Sequence, residues 1–90
     1  MTILHDNSAA RRLEMDEAGQ IVFANYRRHG GRLIIDHVES PPALRGTGAA
    51  GRFMEALADQ ARAAGELVVP VCGYAAAWFR KNARYRDLVA

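Results

Sequence analysis

Only one cysteine, Cys72, stands in this chain, so it can close no internal disulfide. That fits a reducing compartment. No apolar run approaches the roughly 20 residues that a membrane-spanning helix needs. The N-terminus opens polar and mixed, without the apolar core of a secretion signal. These absences set the expectation of a cytoplasmic protein with no membrane partner. Charge of one sign is scarce as well: twelve basic residues against ten acidic ones leave a formal charge of +2. So small a surplus does not point to nucleic acid as a partner. The basic pairs Arg11-Arg12, Arg27-Arg28 and Arg80-Lys81 read as solvated surface, because no aromatic-interleaved basic stretch accompanies them. Internal repeats and low-complexity segments are missing, and no metal is expected.

What is present is a globular balance, 50% hydrophobic and 24% charged over 90 residues. That length has room for one domain. Residues 1–10 are polar after Ile3-Leu4 and read as an N-terminal arm, either loose or the start of an edge strand. Residues 11–90 read as a single domain. Arg11 to Met15 alternates like a strand, with Leu13 and Met15 on one face. Asp16 to Gly19 is a turn. Gln20 to Arg28 is a second strand, with Ile21, Phe23 and Asn25 on one face and Val22, Ala24 and Tyr26 on the other. His29-Gly30-Gly31 turns the chain into a third strand, Arg32 to Val38. Three strands with short turns predict an antiparallel meander.

Ser40-Pro41-Pro42 then ends the sheet, since two successive prolines remove two backbone donors. Gly46 to Ala64 follows with apolar positions at Ala50, Phe53, Met54, Leu57, Ala61 and Ala64, which share one helical face. Gly65 suits the helix C-cap. Leu67 to Val71 is a continuous apolar run and predicts a buried strand, parallel to an earlier one after the helical crossover. Gly73 breaks it. Tyr74 to Asn82 predicts a short helix with Tyr74, Ala77 and Trp78 on one side. The tail, Ala83 to Ala90, is expected to pack back through Tyr85 and Leu88. The fold class is therefore mixed α+β: a three-strand meander, a helix, a parallel strand and a short helix.

Gly46-Thr47-Gly48-Ala49-Ala50-Gly51 matches G-x-G-x-x-G by letter. A dinucleotide fold needs a strand running straight into the first glycine, and Pro41-Pro42 forbid it. Too few residues remain after Gly51 to complete such a fold. A P-loop fails because no Lys-Ser/Thr follows the glycines. A glycine-rich turn opening a long helix is still an anion site on physical grounds. First-turn N–H groups lack helical partners, and small residues let a phosphate approach them. Arg45, just before the turn, can add charge-assisted bonds. The plainer alternative is that the glycines only shape a tight helix entry.

Arg45-x-x-Gly48-x-Ala50 resembles the Q/R-x-x-G-x-G/A signature of the GNAT acetyltransferases. The run from His37 to Ala50, with Val69 to Trp78, resembles the short single-domain branch called YjdJ-type. The likeness covers roughly residues 10 to 89. The branch tends to carry a valine where Ser40 stands, which alters the strand exit. The resemblance implies acetyl-coenzyme A as cofactor and an amine as acceptor. It implies a cofactor-binding set of Val38, Arg45, Gly46, Thr47, Gly48, Ala49, Ala50 and Tyr74. It also implies that the cofactor arm lies along Asp36 to Glu39, with this strand and Leu67 to Val71 splayed around the thioester.

The implied reaction is attack of an amine on a thioester. A lysine-like amine with a pKa near about 10.4 must first lose its proton, at a cost of ~4–5 kcal/mol at neutral pH. Three catalytic candidates follow. Glu39 relays the amine proton, or merely pairs with an arginine. His37, two residues earlier on an extended strand, points to the same side and shares that proton, or is an ordinary half-buried histidine. Cys72 carries the acetyl group transiently, or is a small buried hydrophobe. Tyr74 and Tyr85 either protonate the leaving thiolate or simply pack. A non-catalytic coenzyme A-binding or interaction module is the alternative to an enzyme. The acceptor's identity and the oligomeric state stay open at this level.

Overall fold

Alternation organises the first half of the chain. In the computed structural model, which describes residues 3–90, four strands form an antiparallel meander. They are β1 (Leu4–Asn7), β2 (Arg12–Glu17), β3 (Gln20–His29) and β4 (Arg32–Glu39). Alternate side chains of a strand share a face. Leu13 and Met15 of β2, Val22, Ala24 and Tyr26 of β3, and Leu33 and Ile35 of β4 are buried on one of them. The meander thus has four strands, not three. The added one lies inside the 1–10 stretch and takes the edge position. Its strand character comes from pairing, Leu4 opposite Met15 and Asn7 opposite Arg12, and not from its own polar composition. The first two residues of that stretch lie outside the described residues.

After β4 the prolines start a 3-10 turn, Pro42–Leu44, and the long helix α1 runs over Ala49–Ala64. It begins three residues later than its apolar spacing suggests. Gly46 and Gly48 both sit at φ 81°, a left-handed conformation that a right-handed helix cannot include. Phe53, Met54, Leu57, Ala58 and Ala61 bury its apolar stripe against the sheet. Gly65 caps it at φ 71°, its amide reaching the carbonyls of Ala61 and Arg62. The crossover delivers β5 (Leu67–Pro70) parallel to β4, with Arg32 opposite Leu67 and Ile35 opposite Pro70. The sheet order is β1-β2-β3-β4-β5.

The apolar run of β5 is not a buried strand. Only Val68 is fully enclosed, while Leu67 is exposed and Val71 is 57% exposed. The cause is position: β5 is the sheet's other edge, and its alternate side chains face away from the core. The amides of Leu67 and Val71 donate inward, to the carbonyls of Gly31 and Ile35. The Val68 amide therefore faces outward, and Pro70, whose nitrogen lies on that same side, has no N–H to offer. The Ala90 amide bonds to the Val68 carbonyl at 2.9 Å on that same outer edge.

Helix α2 (Gly73–Lys81) buries Ala75 and Phe79, not the expected face of Tyr74, Ala77 and Trp78. In two and a half turns a helix can be rotated by its neighbours more easily than its pattern reveals. Trp78 packs at the rim of the core and stacks on Tyr85 at 5.4 Å. The 3-10 segment Ala83–Leu88 returns with Tyr85 and Leu88 buried, as their spacing suggests. The Tyr85 hydroxyl donates to Asp59 of α1 at 2.7 Å and accepts from Arg84 at 2.6 Å. Both helices and this segment feed one core on one face of the sheet. The opposite face of β2–β4 contributes no buried residue. Among the described residues, no helix is long and apolar enough to cross a membrane.

Asp6 of β1 is a junction. It accepts from the Tyr26 hydroxyl and pairs with Arg28 at 2.9 Å, and Arg28 also bonds Glu66 at 2.8 Å. Burial pushes the Asp6 carboxyl up, but the bonds from Tyr26 and Arg28 outweigh it and hold the group below its ordinary value. A folded-state pKa that is lowered stabilises above the ordinary carboxylate range and is lost as pH falls through the folded value. Asp6→Asn should cost roughly 1–2 kcal/mol near neutrality. In urea titrations that difference should shrink toward zero on acidification; a gap that ignores pH would contradict the assignment.

Candidate functional site

The register of β4 on β3 slips by one residue. Tyr26 faces Ile35, but Asn25 faces His37, so Asp36 is an extra residue in a β-bulge. Arg27 grips the bulged carboxylate with two bonds of 2.8 Å and holds its pKa below the usual range. The bulge inverts the side-chain parity of β4. Val38 turns toward the core beside Ala24, whereas His37 and Glu39 point to the opposite face, beside Asn25 and Phe23.

At the same level β5 departs. The Ile35 carbonyl accepts from both Val71 and Cys72, at 3.0 and 3.1 Å, and pairing with β4 stops there. The stretch from Asp36 to Glu39 continues without β5 beside it. Cys72 occupies the N-cap position of α2, half-buried, and its carbonyl takes the Ala76 amide at 2.9 Å. Tyr74 follows on the first turn. Burial first, and then neighbouring Cys72, push its hydroxyl pKa above the ordinary value.

The glycine loop closes the arrangement. The Thr47 hydroxyl donates to the Leu44 carbonyl at 2.6 Å and receives the Ala49 amide at 3.3 Å. Thr47 therefore shapes the loop from within. Among the described residues, the amides of Gly46, Gly48, Ala50 and Gly51 find no protein acceptor. Ala49 keeps its methyl in the core. Arg45 is exposed and forms no ion pair among the described residues. Ser40, Pro41, Arg45, Gly46, Gly48, Ala50, Gly51 and Tyr74 all line one cavity of about 300 Å³.

His37 Nε2 lies 3.1 Å from Glu39 Oε1. The two side chains keep 53% and 59% of their surface exposed. His37 meets the edge of Phe23 at 6.4 Å, and the Arg12 guanidinium lies 3.7 Å above that ring. Tyr85, by contrast, spends its hydroxyl on Asp59 and Arg84, which leaves it a packing residue.

The family model of the GCN5-related N-acetyl-transferases matches residues 12–88. The chain belongs to that family. No curated protein matches it. Acetyl transfer in general is the chemistry this acetyltransferase domain carries.

Two residues of the domain escape motif reading. Phe23 looks like ordinary strand alternation, yet it forms the platform beside His37. Arg52 sits one turn into α1. Its Nη1 bonds the Thr47 carbonyl at 2.9 Å, and its Nε bonds Glu17 at 2.6 Å, tying the glycine loop to the β2–β3 turn. A long cation four residues after the second glycine was the available signal. A Cβ at Gly48 would lie 3.2 Å from the same guanidinium, in a backbone conformation at φ 81° that disfavours side chains. Arg52→Ala should leave the fold intact but speed hydrogen exchange at the Thr47 amide several-fold, as about 1 kcal/mol of local support is removed. Unchanged exchange would show that the loop holds itself.

Proposed function

We propose that this chain is an acetyl-CoA-dependent N-acetyltransferase that moves acetyl to an amine. One observation carries the reading: four residues whose amides find no acceptor among the described residues line a cavity at the start of a sixteen-residue helix, beside Arg45, which forms no ion pair there. Such a cradle suits a diphosphate, because bare amides and the helix dipole both favour negative charge.

Bound acetyl-CoA supplies an acetyl group already activated as a thioester. The chain supplies the rest. Gly46, Gly48, Ala50 and Gly51 hold the diphosphate through their amides, and Arg45 adds a charge-assisted bond. Thr47 and Ala49 shape that cradle instead of touching the phosphate, since the Thr47 hydroxyl and the Ala49 amide serve each other. Val38, Tyr74 and the free edge of Asp36 to Glu39 guide the cofactor arm toward the gap where β5 leaves. Glu39 accepts the amine proton. With a proton on Nε2, His37 donates to Oε1 of Glu39 and leaves Oε2 open for that task. Cys72 borders the gap as a half-buried packing residue. Direct attack needs no acetyl on its sulfur, and mass spectrometry after a single turnover should find none. The lone cysteine suits a cytoplasmic setting.

Gly48→Val should abolish acetyl-CoA binding in calorimetry while the protein stays folded. Arg45→Ala should weaken binding by roughly 1.5–3 kcal/mol. Full affinity in Gly48→Val would remove the cradle from the site. Glu39→Gln should lower kcat with cofactor affinity unchanged. Cofactor binding with no acetylated amine in any acceptor screen would favour a non-catalytic coenzyme A module.

A further inference from the structure

We propose that the chain carries a second ligand site, for an aliphatic monocarboxylate, in the cavity between the end of β5, helix α2 and the 3-10 segment that follows it. The cavity has a volume of about 450 Å³ and is lined by Pro70, Ala76, Phe79, Arg80, Arg86 and Val89. That size falls within the roughly 300–1,000 Å³ of small-molecule sites. It shares no lining residue with the cavity at the glycine loop. Helix α2 contributes to both: Tyr74 of its first turn lines one, and Ala76, Phe79 and Arg80 line the other. The site therefore stands apart from the acetyl-CoA reading.

Two features of the lining define the occupant. The first is charge. Arg80 and Arg86 both line the cavity, and neither forms an ion pair among the described residues. Arg86 gives one N–H to the Arg80 carbonyl at 2.7 Å and keeps its other donors. The acids around this segment are already engaged: Asp87 by Arg62 at 2.7 Å, Glu55 by Arg84 at 3.5 Å, and Asp59 by the Tyr85 hydroxyl at 2.7 Å. Arg80, Lys81 and Arg86 are the cations left over. A carboxylate matches the planar guanidinium fork.

The second feature is the lack of other polar side chains. Pro70, Ala76, Phe79 and Val89 complete the lining, and their side chains neither donate nor accept a hydrogen bond. The β5 edge beside them cannot serve a polypeptide either. Pro70 has no N–H, and the Ala90 amide occupies the Val68 carbonyl at 2.9 Å. Peptide groups placed here would lose water without gaining partners, whereas methylenes lose nothing. An inorganic anion would satisfy the arginines and leave the apolar walls wet. The complementary occupant has one anionic head and a body without polar groups.

The test titrates decanoate, below its critical micelle concentration, into isotope-labelled protein and follows the amide spectrum. Acetate, hexanoate, decyltrimethylammonium and vesicles of anionic phospholipid are the comparisons. Shifts at Ala76 to Lys81 and at Arg86 to Ala90 should saturate with one decanoate per chain. Each methylene added between hexanoate and decanoate should tighten binding by up to about fourfold. Acetate and decyltrimethylammonium should bind far more weakly than decanoate. Arg80→Gln should weaken decanoate by roughly two- to fivefold, the range for an exposed charge pair. Ala76→Leu, which fills the cavity, should lose decanoate while the amide spectrum stays that of a folded protein. Should that variant not fold, the Arg80→Gln comparison decides alone. Equal binding of the two decyl amphiphiles overturns the proposal, as does acetate binding as tightly as decanoate. So do shifts centred on Arg45 to Gly51, binding seen only with the vesicles, or no saturable binding of decanoate.

Discussion

A single carbonyl oxygen sets the geometry of the site. Ile35 accepts the amides of Val71 and Cys72 together, which makes it the last point at which β4 and β5 touch. Before it, the strands form a regular parallel ladder that buries Val68 and Leu33. After it, β5 turns into α2 and β4 runs on alone. The bulge at Asp36 falls at the same level and aims His37 and Glu39 away from the core. Without the extra residue, Glu39 would share a face with Leu33 and Ile35, and its carboxylate would be pressed toward the apolar layer. Burial of that kind costs several kcal/mol unless a partner is provided. The fold therefore keeps the charged pair in water by the same device that opens the gap.

The glycine loop leaves backbone groups without protein partners among the described residues. A helix entry normally recruits its own side chains as caps. Here Gly48 holds the N-cap position and has no side chain to offer, and Thr47 covers one amide only. Arg52 supports the loop through a carbonyl, so it stabilises the shape without consuming a donor. Free donors at the surface cost little, because water serves them.

Much of this is legible in the sequence. Strand alternation identifies Val22, Ala24 and Tyr26 as one face, and the helical spacing identifies Phe53, Met54, Leu57 and Ala61 on the buried face of α1, whereas Ala64 of the same spacing is exposed and Ala58 outside it is buried. Those signals are local and strong. The exposure of β5 is not legible in its sequence, because a valine-rich run looks the same whether it lies inside a sheet or at its edge; edge position is a tertiary fact. The bulge left a trace that alternation did not weigh: apolar Ile35 and Val38 are three apart, an interval that neither strand face allows. Arg52 and Phe23 act through partners distant in the chain, Glu17 and His37, and residue type alone says nothing of such pairings.

Pro70 has a consequence for how copies of this protein meet one another. An unpaired strand invites another strand to add on and extend the sheet without limit. On the β5 side, the missing proline donor and the Ala90–Val68 bond leave no continuous ladder to copy. On the far side, β1 offers only four residues, with a charged aspartate among them. Both ends of the sheet are thus poor templates for fibrils, and a small protein can leave one sheet face bare without courting runaway self-association.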